Sequence, residues 1–324
     1  MIHRPRINRW TKSRRNLIHD QSIKSSLVQP YFVVDGINVR EEIPGMPKIY
    51  RESLENLLDT VKSDYEAGIR AIMLFGVVSE DLKDDYANQA MNELSHLHKA
   101  VFELKKIYND DLVIMTDVCL CTATAHGHCG IVVNGEIEND ESVEILAKIA
   151  LSHAKAGADY VCASDMMDGR IISIRKTLEA SGFSSTGILA YSVKYASSFY
   201  GPFRNAASSS PKTGDRKSHQ MDIRSGYKEA IFESKLDQEE GADIIMIKPG
   251  LPYLDVVKTV SDEVEKPVAV YNVSGEYAMV MNSAMDSSQR KSMVIEILNS
   301  FKRSGADIIV TYHAREALAQ GWIK

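Results

Sequence analysis

Three cysteines fall within eleven residues of the chain, in the run Asp117-Val-Cys-Leu-Cys-Thr-Ala-Thr-Ala-His-Gly-His-Cys129. Thiolates are soft ligands that favour zinc over magnesium or calcium, and the spacing of Cys119, Cys121 and Cys129 lets them close around one ion. Structural zinc sites usually take four protein ligands, whereas catalytic sites keep one position open for water or substrate. The three cysteines therefore predict a catalytic zinc site, and the alternative is three reduced thiols without a metal.

Other side chains near this run are less specific signals for a metal. His126 and His128 are candidate fourth ligands, but either histidine could equally orient the loop or form an ordinary hydrogen bond. Cys162, the fourth cysteine, falls in an apolar run and is predicted to be a small core residue. A catalytic site needs none of these three residues as a ligand.

Two lysines each end an apolar run, which is unusual because most lysines are solvated surface residues. Lys194 follows Gly187-Ile-Leu-Ala-Tyr-Ser-Val, and Lys248 follows Ile244-Ile-Met-Ile. Desolvation and a second nearby cation would lower the pKa of such an amine from about 10.4 toward neutrality. A neutral amine attacks carbonyl groups, so we predict two Schiff-base lysines. The alternative is one catalytic lysine and one lysine that binds an anion.

Two amines that form imines suggest two carbonyl substrates, or one substrate and a neighbour that tunes charge. Arg204 and Arg216 can grip a carboxylate through two parallel hydrogen bonds, and Ser274 and Tyr312 can hydrogen-bond a second carboxylate. These four residues favour two keto-acid substrates, although each of them taken singly could be a surface or structural residue.

The elements that must position these groups are indicated by a recurring phrase that contains a glycine. An apolar, often β-branched run follows every copy, as expected of a strand buried on both faces. The glycine fits the C-terminal cap of a helix, so each copy predicts a helix end followed by a parallel strand. The copies are Glu66-Ala-Gly-Ile-Arg70, Lys155-Ala-Gly-Ala-Asp159, Glu240-Gly-Ala-Asp243 and Arg303-Ser-Gly-Ala-Asp307.

Eight strands are predicted when the similar runs between these copies are included. They are Tyr31–Val34, Ala71–Phe75, Leu112–Thr116, Tyr160–Ala163, Ile188–Val193, Ile244–Ile247, Val268–Val273 and Ile308–Val310. The stretches between them have helical periodicity, which favours an α/β fold, a single (β/α)8 TIM barrel, over a doubly wound open sheet. Active sites of such barrels lie at the carboxyl ends of the strands, where the cysteines and both lysines fall.

Two segments stand outside the alternating pattern. The stretch of about 199–220 is rich in glycine, proline, serine and charged residues, and we predict a lid loop over the active site. Residues 1–24 carry seven Lys or Arg residues and one acid, and we interpret them as an extended N-terminal arm that contacts another subunit, or else as a solvated arm. The catalytic barrel is then residues 25–324.

Composition excludes several classes of protein. The formal net charge of −6 argues against a protein that binds nucleic acid, since phosphate neutralisation needs clustered Lys and Arg. No apolar run approaches the ~18 residues of a membrane helix, and the basic N-terminal segment lacks the apolar core of a secretory signal. We expect a cytosolic protein, in which cysteines are thiols or metal ligands rather than disulfides.

Seven motifs combine the reactive residues with specific neighbours. They are Asp117–Cys121, His126–Gly130, Ser164–Arg170, Lys194–Arg204, Gly214–Arg216, Lys248–Asp255 and Val273–Met279. Together they resemble the porphobilinogen synthase family, also called 5-aminolevulinic acid dehydratase, over nearly the full length of the chain. The resemblance implies a barrel enzyme, a hydro-lyase that condenses two molecules of 5-aminolevulinate into porphobilinogen with loss of two waters, on the way to haem.

The resemblance also implies roles for individual residues. Lys248 resembles the family lysine that binds the propionyl-side substrate and Lys194 the lysine for the acetyl side. Ser274 and Tyr312 match the propionyl-side carboxylate binders, and Arg204 and Arg216 match the acetyl-side ones.

The metal chemistry implied by the resemblance is that of the zinc branch of the family. Cys119, Cys121 and Cys129 match its zinc ligands, and Asp117 is expected to assist proton transfer or orientation near the metal. Glu233 resembles a glutamate that binds an allosteric magnesium at a subunit interface, and the family assembles as octamers with N-terminal arms wrapped around neighbouring barrels.

The chain departs from the usual family pattern in three places. Ala163 stands where a proline is common, Ala125 stands where a serine is common, and the stretch after Phe75-Gly-Val lacks the usual glycine-bearing phrase. None of them is a proposed catalytic group, so they bear on loop geometry and assembly rather than on the reaction.

Two rival hypotheses remain at this stage. A single-lysine aldolase on the same barrel would need Lys248 alone, and a catalytically inactive barrel would only store metal or support assembly.

Overall fold

A closed barrel of eight parallel strands forms the centre of the computed structural model, which describes residues 1–212 and 214–323. The strands are β1 Leu27–Val33, β2 Ala71–Gly76, β3 Val113–Val118, β4 Tyr160–Ala163, β5 Gly187–Lys194, β6 Ile244–Lys248, β7 Val268–Asn272 and β8 Ile308–Thr311. Each strand pairs with the next, and β8 pairs with β1 to close the barrel. The predicted (β/α)8 fold is therefore confirmed, and the open sheet is excluded.

A helix follows each barrel strand and packs on its outer side. These helices are α1 Leu54–Ala67, α2 His96–Tyr108, α3 Asn139–Ala156, α4 Arg170–Ala180, α5 Tyr227–Glu240, α6 Leu254–Glu263, α7 Ser287–Arg303 and α8 Ala314–Ala319. Alternate strand residues fill the barrel interior, such as Met115 and Met246, while their neighbours Ile114 and Ile245 pack against the helices. The strands are buried on both faces, which explains their continuous apolar runs.

Shorter strands, helices and turns are present in addition to the barrel and its outer helices. Two additional pairs of strands are present, Arg40–Glu42 with Tyr50–Glu52 and Ile131–Val133 with Glu136–Glu138. Further α-helices span Lys12–His19, Ile23–Ser26, Gly201–Ala206 and Ser274–Ser283, and 3₁₀ turns span Ile7–Arg9, Glu80–Leu82, Asn88–Met91, Ser198–Tyr200 and Leu251–Tyr253. Within the described residues, no helix is long and apolar enough to span a bilayer.

The glycines of the recurring phrase end helices, as predicted. Gly68, Gly157 and Gly241 cap α1, α3 and α5 with φ of 117°, 110° and 108°, and Gly305 follows α7 with φ of 102°. This left-handed conformation is unfavourable for residues with a Cβ, so the helix ends require glycine.

The aspartate of the phrase has a structural role that the sequence pattern did not reveal. Asp159, Asp243 and Asp307 each precede an even-numbered strand and accept a hydrogen bond from a backbone N–H of the preceding strand, at 2.9 Å in all three cases. The backbone N–H of each aspartate donates in return to a carbonyl of that same strand. The phrase thus fixes strand pairs at the amino end of the barrel, opposite the predicted active site.

The N-terminal segment covers this amino end of its own barrel. Ile7, Leu17 and Ile18 are buried in the core cluster that fills the barrel interior, and Arg14 forms a buried ion pair with Asp159 at 2.8 Å. The segment is therefore more than a solvated arm. Contact of residues 1–24 with a second subunit stays a prediction.

Some boundaries differ from the predictions. Strand β1 begins at Leu27, four residues before the predicted start at Tyr31. The prediction was late because Pro30, which lacks an N–H, lies within the strand and interrupts the sequence signal. The stretch predicted as a lid loop begins with the 3₁₀ turn and the helix Gly201–Ala206, since the ring of Phe203 packs on other aromatic rings inside the barrel. Thr213 of the predicted lid and Lys324 of the predicted barrel lie outside the described residues.

The buried aspartate Asp243 carries an ion pair in addition to the hydrogen bonds that it shares with Asp159 and Asp307. Its carboxylate also pairs with the guanidinium of Arg175 at 2.5 Å, and both side chains are almost fully buried. We expect Asp243→Asn to lower the free energy of unfolding by about 3–5 kcal/mol, because a buried guanidinium loses its counterion. Asp307→Asn, the matched control at a half-buried position, should cost about 1 kcal/mol or less. Equal losses for both variants in denaturant unfolding would contradict this interpretation.

Candidate active site

Lys194 and Lys248 are the last residues of the neighbouring strands β5 and β6, and their Cα atoms are partners in the parallel pairing. Both side chains are buried, with 5% and 4% of their surface exposed. The structure therefore brings the two predicted Schiff-base lysines together at the carboxyl end of the barrel.

A β-bulge in β5 is what turns Lys194 toward its partner. Ala190 pairs with Ile245 and Val193 pairs with Ile247, so β5 has one extra residue between these pairs. Without the bulge, strict alternation from Tyr191, whose ring lies in the barrel interior, would direct Lys194 toward the helices. Bulges of this kind re-aim side chains beside active sites.

Four aromatic rings surround the amine of Lys248. Its Nζ lies 4.2 Å from the ring centroid of Tyr271, 4.8 Å from that of Phe203, 5.1 Å from that of Tyr191 and 5.3 Å from that of Tyr200. Burial, and then the neighbouring charge of Lys194, lower the pKa of Lys248 to about 7. A large fraction of this amine is therefore neutral and nucleophilic near neutral pH.

The amine of Lys194 lies 5.7 Å from the ring centroid of Tyr191 and donates a hydrogen bond to the carbonyl oxygen of Ser164. Asp117, in β3, interacts with both ammonium groups. Burial raises the pKa of the Asp117 carboxyl, and the charges of Lys248 and Lys194 oppose the rise. The negative charge of the Asp117 carboxylate therefore acts on both amines.

The three cysteines of the predicted metal site form one buried group in the loop after β3. Their Sγ atoms all lie within 4.8 Å of one another, and the two sulfurs of Cys119 and Cys121 are 3.2 Å apart. Among the described residues, this is the one group of three or more His, Cys, Asp or Glu side chains close enough to hold an ion. Three soft sulfur donors at this spacing fit a metal ion.

The electrostatics of the cysteine group favour a charged sulfur. Hydrogen bonds from Cys119 and Cys121 lower the pKa of the Cys129 thiol well below its usual value, and Arg216 adds to this effect. A thiolate is the form that binds a metal. The cysteine group and the lysines are neighbours, since the charge of Cys121 also acts on Lys248.

The two predicted arginines lie on the same side of the site. Arg216 is 5% exposed, and its Nη2 donates to the carbonyl oxygens of Gly127, at 2.9 Å, and Ser209. Arg204 lies in the helix Gly201–Ala206, and burial, then the charge of Arg216, lower the pKa of its guanidinium. Its buried Nε has no hydrogen-bond partner within the described part of the chain.

Ser274 and Tyr312 lie on the side of Lys248. The hydroxyl of Ser274 accepts a hydrogen bond from the backbone N–H of Phe203 at 2.9 Å and donates to the carbonyl of Phe199 at 3.3 Å. The hydroxyl of Tyr312 is 3.1 Å from that of Tyr271, the tyrosine nearest the Lys248 amine. Ser274 is thus held by the segment that covers the site rather than directed freely into it.

The aromatic residues around Lys248 were missed by the sequence reasoning. Tyr191 and Tyr271 occupy interior positions of β5 and β7, whereas Tyr200 and Phe203 come from the segment after β5, and the hydroxyl of Tyr200 donates to the backbone carbonyl of Lys248. Tyrosines at interior positions of predicted barrel strands were an available signal. Nothing in the sequence indicated that Phe203 folds back over the amine.

The remaining candidate residues lie outside both the lysine pair and the group of three cysteines. Cys162 is a buried interior residue of β4, as predicted, and His126 accepts a hydrogen bond from the backbone N–H of His128 at 3.1 Å. Glu233, on α5, lines a cavity of about 970 Å³ together with Asp168. Burial and nearby carboxylates, Asp237 first, raise the pKa of Glu233 to about 7.

The closed barrel and the buried lysines at the ends of two neighbouring strands are typical of barrel enzymes that act through lysine nucleophiles. Comparison with known proteins makes this more specific. A family model described as delta-aminolevulinic acid dehydratase matches residues 2–320. The chain belongs to this family of hydro-lyases.

Individual relatives agree with the family model. The chain is 49% identical to the delta-aminolevulinic acid dehydratase of Methanothermus sociabilis, with 94% of each chain covered. It is 44% identical to that of Bacillus subtilis strain 168, with 98% of this chain and 97% of the relative covered.

A solved structure gives the same result. The delta-aminolevulinic acid dehydratase (porphobilinogen synthase) of Toxoplasma gondii ME49, in complex with the reaction product porphobilinogen, matches with a TM-score of 0.89 and 44% identity, covering 99% of this chain and 92% of that one. The likeness extends over essentially the whole barrel.

The environment of Lys248 predicts an unusual pH dependence of its reactivity. Labelling of Lys248 by an uncharged amine-specific reagent, followed by peptide mass spectrometry, should rise with a midpoint near pH 7. In a Lys194→Met variant the midpoint should move to higher pH, because a neighbouring positive charge has been removed. The exposed Lys228 serves as the internal control, and a midpoint for Lys248 near pH 10 would contradict the description of the site.

Proposed function

We propose that this protein condenses two molecules of 5-aminolevulinate into porphobilinogen with loss of two waters, as a step in tetrapyrrole biosynthesis. Membership of the dehydratase family and the likeness to a product-bound porphobilinogen synthase support this activity. The observation that carries the proposal is the pair of buried lysines on neighbouring strands, one of them with a pKa of about 7.

Each lysine would form an imine with the ketone of one substrate. The neutral amine attacks the carbonyl carbon, the resulting carbinolamine loses water, and the lysine nitrogen becomes the imine nitrogen. We assign the propionyl-side substrate to Lys248 and the acetyl-side substrate to Lys194. The carboxyl of Asp117, which interacts with both amines, is suited to supply and accept the protons of these steps.

The substrate carboxylates would be bound on opposite sides of the lysine pair. Arg204 and Arg216 are assigned to the acetyl side, where the unpartnered Nε of Arg204 supplies a free donor among the described residues. Ser274 and Tyr312 are assigned to the propionyl side, next to Tyr271 and Lys248. For Ser274 this assignment requires that a substrate carboxylate replace its present hydrogen bonds to the backbone.

We assign zinc to Cys119, Cys121 and Cys129, because three thiolates favour a soft ion and leave one coordination position open. A bound zinc would polarise the second substrate beside Lys194. The protein's own contribution is to bury the three sulfurs in one loop and to hold the cationic Arg216 against them.

We also assign a magnesium ion to Glu233, in the acidic cavity that it shares with Asp168, Asp222 and Glu229.

The other assignments rest on the family resemblance: a homo-octamer, allosteric control through the magnesium, and an arm that contacts a neighbouring subunit. Residues 199–220 would act as the lid, since Phe203 and Tyr200 cover Lys248. The four free cysteines fit the reducing cytoplasm.

Single lysine variants distinguish this proposal from a single-lysine aldolase. We expect Lys194→Ala and Lys248→Ala each to lower kcat for porphobilinogen formation by about 10³-fold or more, because each removes a covalent nucleophile. A colour assay for the pyrrole measures the rate, thermal unfolding checks folding, and Lys228→Ala on the exposed start of α5 is the control. Substantial activity in Lys194→Ala would support the aldolase and contradict two imines.

Removal of one thiol tests the metal assignment. We expect Cys121→Ala to lose bound zinc and most activity, while its thermal transition changes little because the barrel core is separate from the cysteine loop. Cys162→Ala, which removes a buried thiol outside the group, should keep one zinc per chain. Metal analysis before and after chelation gives the stoichiometry, and undiminished turnover by the metal-free Cys121→Ala variant would refute the assignment.

A further inference from the structure

The turn formed by Arg216, Lys217, Ser218, His219 and Gln220 lies directly against the cysteine loop. The backbone N–H of Gln220 donates to the carbonyl of Arg216 at 2.9 Å, and Arg216 itself donates to the carbonyl of Gly127, two residues from Cys129. The turn is therefore attached to the cysteine loop by a buried arginine. None of the predictions from the sequence used His219.

The imidazole of His219 has one ring nitrogen in use and one without a partner. Its Nδ1 lies 3.2 Å from the hydroxyl of Ser218. Its Nε2 is buried and, within residues 1–212 and 214–323, has no hydrogen-bond partner. When the Ser218 hydroxyl donates to Nδ1, the neutral ring carries its proton on Nε2, which makes this atom a buried donor that needs an acceptor.

The sulfur of Cys129 is an acceptor that the side chain of His219 contacts. The side chain of His219 lies against this sulfur and interacts with it. His219 does not belong to the group of ligand atoms that lie within 4.8 Å of one another among the described residues, so it is placed beside the metal ligands rather than among them. A metal-bound thiolate keeps lone pairs that accept such a hydrogen bond.

We propose that His219 is a positioning residue of the metal centre, whose Nε2–H donates a hydrogen bond to the Cys129 sulfur when that sulfur binds the ion. The inference rests on the proposed metal function of the three cysteines. Under this inference, the short turn that contains Arg216 and His219 connects the proposed carboxylate binder Arg216 with the metal ligand Cys129. The partner of Nε2 is then the thiolate, and a donor that would otherwise be buried without an acceptor is satisfied.

Cobalt binding tests this role without reference to turnover. Metal-free protein is titrated with Co²⁺ against a chromogenic chelator, and the thiolate-to-cobalt charge-transfer band is recorded. We expect His219→Phe to bind Co²⁺ about 10–100-fold more weakly, as is typical when a partner of a metal ligand is lost. Its band should move to lower energy, because a thiolate without the hydrogen bond gives up charge more easily.

Two further variants make the test specific. His219→Gln keeps an N–H donor of similar reach and should recover part of the affinity and of the band position. Lys217→Gln changes an exposed residue of the same turn, whose ammonium pairs with Asp215 at 3.2 Å, and should behave like the wild-type protein.

The outcomes separate this inference from the function on which it rests. Unchanged affinity and band position in His219→Phe would overturn the inference alone, as would equal losses in His219→Phe and His219→Gln. A change of the cobalt d–d bands that shows a lost ligand would also overturn it, because His219 would then bind the metal directly. Failure of the wild-type protein to bind Co²⁺ at the cysteines would overturn the metal function and this inference together.

Discussion

Two ammonium groups held side by side in a buried barrel rim are unstable, because each has lost its hydration and each repels the other. The fold places Lys194 and Lys248 in this situation, and Lys248 responds with a pKa of about 7. Asp117 and the cysteine loop moderate the repulsion without removing it, since their negative charges act on the same amine. A neutral amine near physiological pH follows from this arrangement, and a neutral amine is what the proposed imine chemistry requires.

The strand bulge, the aromatic rings and the aspartates at the far end of the barrel maintain this arrangement of the two lysines. The β-bulge in β5 turns Lys194 into the interior, and the rings of Tyr191, Tyr271 and Phe203 keep water from Lys248. At the opposite end of the barrel, the repeated aspartates fix the strand pairs on which the register of the two lysines depends. Rigid strand pairing at one end therefore supports reactive groups at the other.

The fold was predictable because its signals are local. A left-handed glycine at the end of a helix and a β-branched run after it, as at Gly157 and Gly241, identify helix and strand without knowledge of tertiary contacts. The lysines and cysteines were also predictable, since a lysine that ends an apolar run and three clustered cysteines are rare. The bulge in β5 was not predictable, because the alternation of a regular strand would have directed Lys194 outward. The contacts of Phe203 and His219 arise only when distant segments pack together.

Trapping of the enzyme-bound imines tests the central claim most directly. The protein is mixed with isotope-labelled 5-aminolevulinate and reduced with borohydride during turnover, and its peptides are analysed by mass spectrometry. Imine formation by both amines predicts reduced substrate adducts on the peptides that contain Lys194 and Lys248. Adducts confined to Lys248 under all conditions, with Lys194 unmodified, would contradict the two-imine account and leave a barrel with one catalytic lysine.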